Sequence, residues 1–274
     1  YSFNDVDIDR YVIDGKLTQV FLSIREIDKD KLEANARTWI NTKLKYTHGY
    51  GATVAPVNQL NPSGQPNMIL KNVPVSTNAE ALVLTKPQVY FGELTNDYVI
   101  VNTNEMEFDY PKGDSNEMTK YEGAGGIELN LFNRSLFATR ERDLKILISG
   151  GINSDSKILI NRNIKTRVQK VAPFIRFDED PYAVIADGRI HYIIDGYTAT
   201  NFYPYSEPFS DKSNTNYIRN SVKAVVDSYD GTIDFYISDE TDPIIETYSK
   251  IFPDLFKEMS EMPEFVRSHI RYPQ

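Results

Sequence analysis

The chain is 274 residues long, ample for autonomous folding around one large core or two smaller ones. Lys and Arg total 30 against 39 Asp and Glu, and the net charge of -9 opposes generic binding to nucleic-acid phosphates or to an anionic bilayer. The absence of cysteine excludes disulfides, thiolate nucleophiles and Cys-ligated zinc, and there is no run of about 18–20 uncharged apolar residues to span a bilayer.

The chain opens with Asp5, Asp7 and Asp9, which share one face if the segment is a strand and would suit a hard cation such as Ca²⁺. The run fails as an EF-hand, because Arg10 stands where the glycine belongs and Lys16 where the bidentate glutamate belongs, so no metal ligand is assigned. Asp14-Gly15 lies between strand-like runs, followed by a helical pattern around Leu32, Ala36, Trp39 and Ile40. Thr47-His48-Gly49-Tyr50-Gly51 follows. It reads either as a helix C-cap with a tight turn or as a place where backbone N–H groups, the His48 imidazole and Tyr50 meet a ligand.

Between Ala55 and Pro87, frequent Pro, Asn and Gly residues predict a long surface loop or irregular arm. Residues 88–92 and 98–103 read as a second pair of strands, with a turn at 111–115. Glu122-Gly123-Ala124-Gly125-Gly126 is a flexible turn or an anion cradle, without the Lys-Ser/Thr of a P-loop. Residues 129–149 are predicted as two helices broken near Arg142. Asn163 starts another helix, with Ile164, Val168 and Val171 on one side. Its basic residues Arg162, Lys165, Arg167 and Lys170 form a solvated face or a contact for anionic headgroups.

Asp178, Glu179 and Asp180 precede Pro181, either as turn and cap residues or, through Asp178 and Asp180, as a raised-pKa acid beside an ionised partner. Asp187-Gly188 and Asp230-Gly231 repeat the turn pattern of Asp14-Gly15, which suggests either a recurring hairpin-plus-helix unit or merely common turn chemistry. Phe202, Tyr203, Tyr205 and Phe209 are buried loop anchors, a platform for envelope glycans or a membrane-interface contact. Around Asp230-Gly231, a hairpin is predicted within 217–228 and 232–238, with Val222, Ala224, Val226, Ile233, Phe235 and Ile237 on its apolar face. Asp242 then caps a helix with Pro243 at its first position, Ile244, Tyr248 and Ile251 on one stripe, and Pro253 as its stop. His191 lies on a strand and His269 on a C-terminal helix; the three histidines lack the H-E-x-x-H spacing of a zinc hydrolase. Hairpins interrupted by helices, without steady βαβ alternation, predict an α+β fold with antiparallel sheet dominant.

FNDVDIDRY at Phe3–Tyr11, THGYG at Thr47–Gly51, YFGELTNDYVIVN at Tyr90–Asn102, EFDYP at Glu107–Pro111, APF at Ala172–Phe174, DPY at Asp180–Tyr182, YPYSEP at Tyr203–Pro208 and RYP at Arg271–Pro273 stand in this order along the chain. Together they resemble a family of bacterial multispanning membrane proteins, numbered 0182 among the uncharacterised protein families. The resemblance implies membrane-spanning helices ahead of a large region on the outer side, and no activity for particular residues. A start at Tyr1, directly on a family motif, agrees with a piece of a longer chain.

The expectation is therefore one extracytoplasmic α+β region over 1–274, with room for two subdomains at about 1–125 and 126–274, on the outer face of the cell membrane. It is a non-enzymatic binder with no cofactor, partnered by the transmembrane helices of its parent and by an envelope glycan, a lipid headgroup or a protein. Two rivals stand beside it: an envelope hydrolase or transferase using carboxylates with His48, and the passive cap of a transporter.

Overall fold

The computed structural model describes residues 1–208 and 214–273. The fold is α+β, and its two largest sheets have six strands each. In the first, Asp7–Ile13 turns tightly into Lys16–Glu26, which pairs on its other edge with Ala52–Pro56, and every pairing in the sheet is antiparallel. In the second, Tyr182–Ala186, Arg189–Thr200, Tyr217–Asp227 and Ile233–Ile237 form an antiparallel meander, with Phe256–Glu258 added in parallel at the edge.

The three Asp-Gly turns differ in kind. Asp14 and Gly15 both have positive φ (51° and 74°), as do Asp187 and Gly188 (50° and 71°), the signature of two-residue type I′ turns. The third hairpin has the predicted strands, but its last register pair is Val226 with Ile233, and of Asp230 and Gly231 only Gly231 has positive φ. The longer loop arises because Asp227 accepts from the backbone of Tyr229 and Asp230 at 2.8 Å, winding the chain inward before it turns.

Helices α1 (Leu131–Arg140) and α2 (Lys145–Ile148) are separated at Arg142, which has positive φ, as the sequence predicts. α3 (Ile164–Val171) is capped by Asn163 and buries Ile164 and Val168, while Val171 is exposed and the next residue, Ala172, is buried. α4 (Pro243–Ile251) is capped by Asp242, whose side chain accepts from Ile244 N–H at 3.0 Å. Its buried residue is Ile245; of the predicted stripe Tyr248 packs against the main core, whereas Ile251 faces solvent. α5 (Glu264–Arg267) is a single turn, and His269 follows it.

Other expectations need correction. The predicted helix around Leu32–Ile40 is a pair of 3₁₀ turns, Lys29–Lys31 and Ala34–Ala36, followed by a π turn at Asn41–Lys45. Gln88–Val89 and Val99–Val101 do not pair with each other: the first pairs with Gly49–Tyr50 and the second with Lys157–Leu159. The arm over 55–87 is irregular as expected, yet it buries Leu70, Ala79 and Leu82 in the main core. That core takes Val20, Leu22 and Val54 from the first sheet, Ile190, Tyr192, Val222, Ala224 and Phe235 from the second, and Ile164 and Val168 from α3. Residues on either side of position 125 thus share one apolar interior. Among the described residues no helix is long and apolar enough to cross a membrane.

The turns make a prediction. Gly15→Ala places a Cβ in open space and should cost only the left-handed backbone penalty of roughly 1–2 kcal/mol. At Gly231 an added Cβ would also lie 2.5 Å from the buried Phe91 ring, so Gly231→Ala should lower the urea midpoint further than Gly15→Ala. The reverse order would refute this packing account.

Candidate functional site

Three of the segments that carry the family resemblance, Thr47–Gly51, Tyr90–Asn102 and Glu107–Pro111, meet in the interior. Glu107 and Asp109 alternate on the strand Glu107–Lys112, so both carboxylates point inward. His48, fully buried, has Nδ1 2.8 Å from Thr47 Oγ1 and Nε2 3.2 Å from Asp109 Oδ1. Glu107 accepts from the Thr47 hydroxyl, from the Tyr90 hydroxyl at 2.9 Å and from Tyr121 N–H at 3.1 Å, while Gln88 donates to Asp109 at 3.0 Å. Burial works against a charged imidazole. The bonds to Asp109 and Glu107 outweigh it, and the His48 pKa is raised above the ordinary histidine value. The Tyr90 ring lies tilted against His48 at 4.6 Å and meets Tyr121 and Tyr229 edge-on at 4.6 and 5.4 Å.

Beside this network lies Arg162. Its guanidinium donates to the carbonyls of Tyr90 (2.7 Å), Asp97 (3.3 Å) and Thr47, and lies 3.5 Å from Asp97 Oδ1. Asp97 also receives Lys29 at 2.9 Å and Lys43 at 2.7 Å. Burial opposes ionisation of Asp97, but Lys29, Arg162 and Lys43 together hold its carboxyl below the usual range. Lys29 responds in the opposite sense: burial and the Arg162 charge push it down to about 7. Arg162 and Asp97 form part of the wall of two open clefts. The larger, about 480 Å³, is bordered by Lys43, Arg140 and Lys170; the smaller, about 310 Å³, by Lys29, Asp28 and Asp30.

Tyr50 lies beside the His48 network, its strand partner Gln88 being the donor to Asp109, while the remaining candidates lie apart. Tyr50 is buried, 5.0 Å from the ring of Tyr110. Asp178 and Asp180 line a separate small cleft with Asp195 and Arg271, and Asp178 caps Asp180 N–H at 3.0 Å. Burial and then Asp5 raise the Asp180 pKa. Tyr205 projects into solvent, Phe202 is exposed, and Tyr203 stacks on Tyr217 at 4.6 Å, so these three are not buried anchors; Phe209 lies outside the described residues. The Gly-rich loop does cradle an anion, that of its own chain: Ala124 N–H donates to Asp230 at 2.9 Å, and Arg189 binds the other oxygen at 2.7 Å. On α3 the basic face is not uniformly solvated, since Arg162 is buried and Arg167 stacks over Phe91 at 4.6 Å and donates to Gly231 O.

Asp7 accepts from Ala183 N–H at 2.9 Å and faces Arg271 at 3.5 Å, Asp9 pairs with His269 at 2.8 Å, and Asp5 bonds Val6 N–H at 2.6 Å. Among the described residues no group of three or more His, Asp or Glu is placed to hold a metal ion. Sequence reasoning passed over Lys29, Lys43 and Asp97 entirely. The signal available for Glu107 and Asp109 was the period-2 spacing within a strand-like motif.

The chain belongs to the uncharacterised protein family UPF0182, whose model matches residues 1–274. It is 54% identical over 274 residues to a UPF0182 protein of Alkaliphilus metalliredigens and to one of Clostridium botulinum, and 51% identical to one of Clostridium acetobutylicum. All of this chain is covered in each comparison, but it spans only 29–30% of the length of those relatives. No solved structure matches it.

The raised His48 pKa gives a signed prediction. Stabilisation from its protonation is fully present below the unfolded value of about 6.5 and is lost as the pH rises through the higher folded value. His48→Gln should therefore cost more stability near pH ~6 than near pH ~9. A wild-type-to-variant difference in melting temperature that stays flat across this window would show that His48 is held neutral.

Proposed function

We propose that this chain is a non-catalytic ligand-binding region of a larger membrane protein, lying on the extracytoplasmic side. The membrane and its outer face come from the family resemblance, and the larger parent from relatives of which this chain spans about 30%. The observation that carries the binding reading is the contrast between two polar centres. His48 is sealed, with both ring nitrogens engaged by Thr47 and Asp109, so it and its carboxylates meet no substrate without the core opening. Lys43, Arg140, Arg162 and Lys170 instead border an open cleft whose wall also carries Asn96, Asn161, Asn163 and Thr166 and the carboxylates of Asp97 and Glu141. Fixed donors around a concave surface bind and orient a ligand, and the two carboxylates among them are already engaged, Asp97 by Lys29, Lys43 and Arg162 and Glu141 by Arg140.

A binder gains stability from its ligand as RT ln(1 + [L]/Kd), roughly 2.7 kcal/mol at a hundredfold excess over Kd. A thermal-shift screen of the 274-residue chain against anionic metabolites, envelope sugars and lipid headgroups should give at least one saturable rise in melting temperature, with the compound recovered unchanged. Turnover of a stabilising compound would favour the hydrolase or transferase. A flat screen that becomes positive only for the full-length parent would favour the passive cap.

A further inference from the structure

We propose that the cleft bordered by Lys43, Arg140, Arg162 and Lys170 is a binding site for a phosphate monoester, either a soluble metabolite or a phosphorylated headgroup. This inference rests on the binding reading above and names its chemistry.

The argument begins with a local charge imbalance. Lys29, Lys43 and Arg162 converge on the single carboxylate of Asp97, at 2.9, 2.7 and 3.5 Å. Three basic side chains thus share one carboxylate as their direct ion-pair partner, in a chain whose net charge is -9. Neither Lys29 nor Lys43 is free in solvent, their side chains being 15% and 17% exposed. Cations so enclosed repel one another, and Lys29, depressed first by burial, is lowered further by the Arg162 and Lys43 charges. A dianion beside Asp97 would offset that repulsion. A phosphate monoester carries about -1.5 to -2 near neutral pH, whereas a carboxylate carries a single charge.

The donors face one space. Lys43 lies over the Tyr98 ring at 4.3 Å, which fixes its stem while leaving ammonium protons available beyond the one given to Asp97. In the same wall, Lys170 donates to Asn161 Oδ1 at 2.6 Å and Arg140 approaches the same oxygen at 3.4 Å. These two cations share one neutral acceptor, and Arg140 has Glu141 as its nearby carboxylate at 3.3 Å. Counting the wall alone, Lys43, Arg140, Arg162 and Lys170 stand against Asp97 and Glu141. The smaller cleft on the other side of Asp97 has Asp28 and Asp30 beside Lys29, which disfavours an anion there and assigns the ligand to the larger one.

Isothermal titration of the chain with glycerol phosphate, and co-flotation with vesicles of phosphatidylcholine alone or mixed with phosphatidic acid, separate the two sources. Saturable binding of glycerol phosphate is expected for a soluble ligand. Binding only to the phosphatidic-acid vesicles is expected for a headgroup. In whichever arm is positive, Lys43→Met should weaken binding about tenfold, the loss of one charge-assisted bond. Lys170→Ala, at the exposed rim, should weaken it about threefold without touching the buried pairs. Lys250→Ala, on the exposed end of α4, serves as the control and should change nothing. Failure to bind in both arms, or binding that Lys43→Met and Lys170→Ala leave unaltered, would overturn the proposal. Stabilisation by an envelope sugar without any response to phosphate would overturn this assignment while leaving the broader binding reading intact; turnover would overturn the broader reading.

Discussion

The buried guanidinium of Arg162 is the constraint around which this fold is organised. A planar cation with five N–H donors cannot be enclosed unless nearly all of them find acceptors. Here the acceptors are backbone carbonyls of Thr47, Tyr90 and Asp97, three positions far from Arg162 in sequence. Irregular segments therefore converge on one side chain, which gives their carbonyls the partners that a regular ladder would otherwise supply. Arg162 directly precedes Asn163, the cap of α3, whose side chain donates to Glu93 O at 2.7 Å, so the position of that helix over the core and the position of the 90–97 loop are set together.

A second buried ion acts in parallel. Glu26, at the end of the long strand of the first sheet, accepts from Glu93 and Leu94 N–H, both at 2.8 Å, and from the Tyr192 hydroxyl of the second sheet at 3.0 Å. Gly92 is required beside it, because a Cβ there would lie 2.3 Å from Glu26 Oε2. Burial raises the Glu26 pKa, and the two backbone donors only partly offset that cost. Such a group contributes little net stability compared with an apolar replacement, but removing one partner leaves the other buried and unpaired. Its effect is to make a single register of loop against sheet much better than the alternatives.

These enclosed networks also divide the chemistry of the molecule. The residues with the most suggestive chemistry, His48 with Glu107 and Asp109, are used to close the interior. The open surface near them is instead cationic, although the chain is acidic overall. A cationic cleft within an acidic surface is favourable for selectivity, since the surrounding negative field disfavours indiscriminate binding to polyanions while close donors act at short range.

The sequence by itself determined the local elements whose cause is local. The Asp-Gly hairpins, the Asp242-Pro243 helix start, the break at Arg142 and the α+β class follow from backbone sterics, capping and side-chain period, all acting over a few residues. It also carried the family, because several motifs in fixed order are visible without any coordinates. The tertiary structure decided what those motifs do. Whether Gln88–Val89 pairs with its neighbour in sequence or with Gly49–Tyr50 depends on long-range register. Whether a glycine-rich loop holds a ligand or Asp230, and whether Arg162 lies on a solvated helix face or inside the protein, are questions of which distant groups arrive at one point. Charge and hydrogen-bond satisfaction are properties of such convergence, and positions 29, 43, 97 and 162 carry no sign in the linear chain that they will meet.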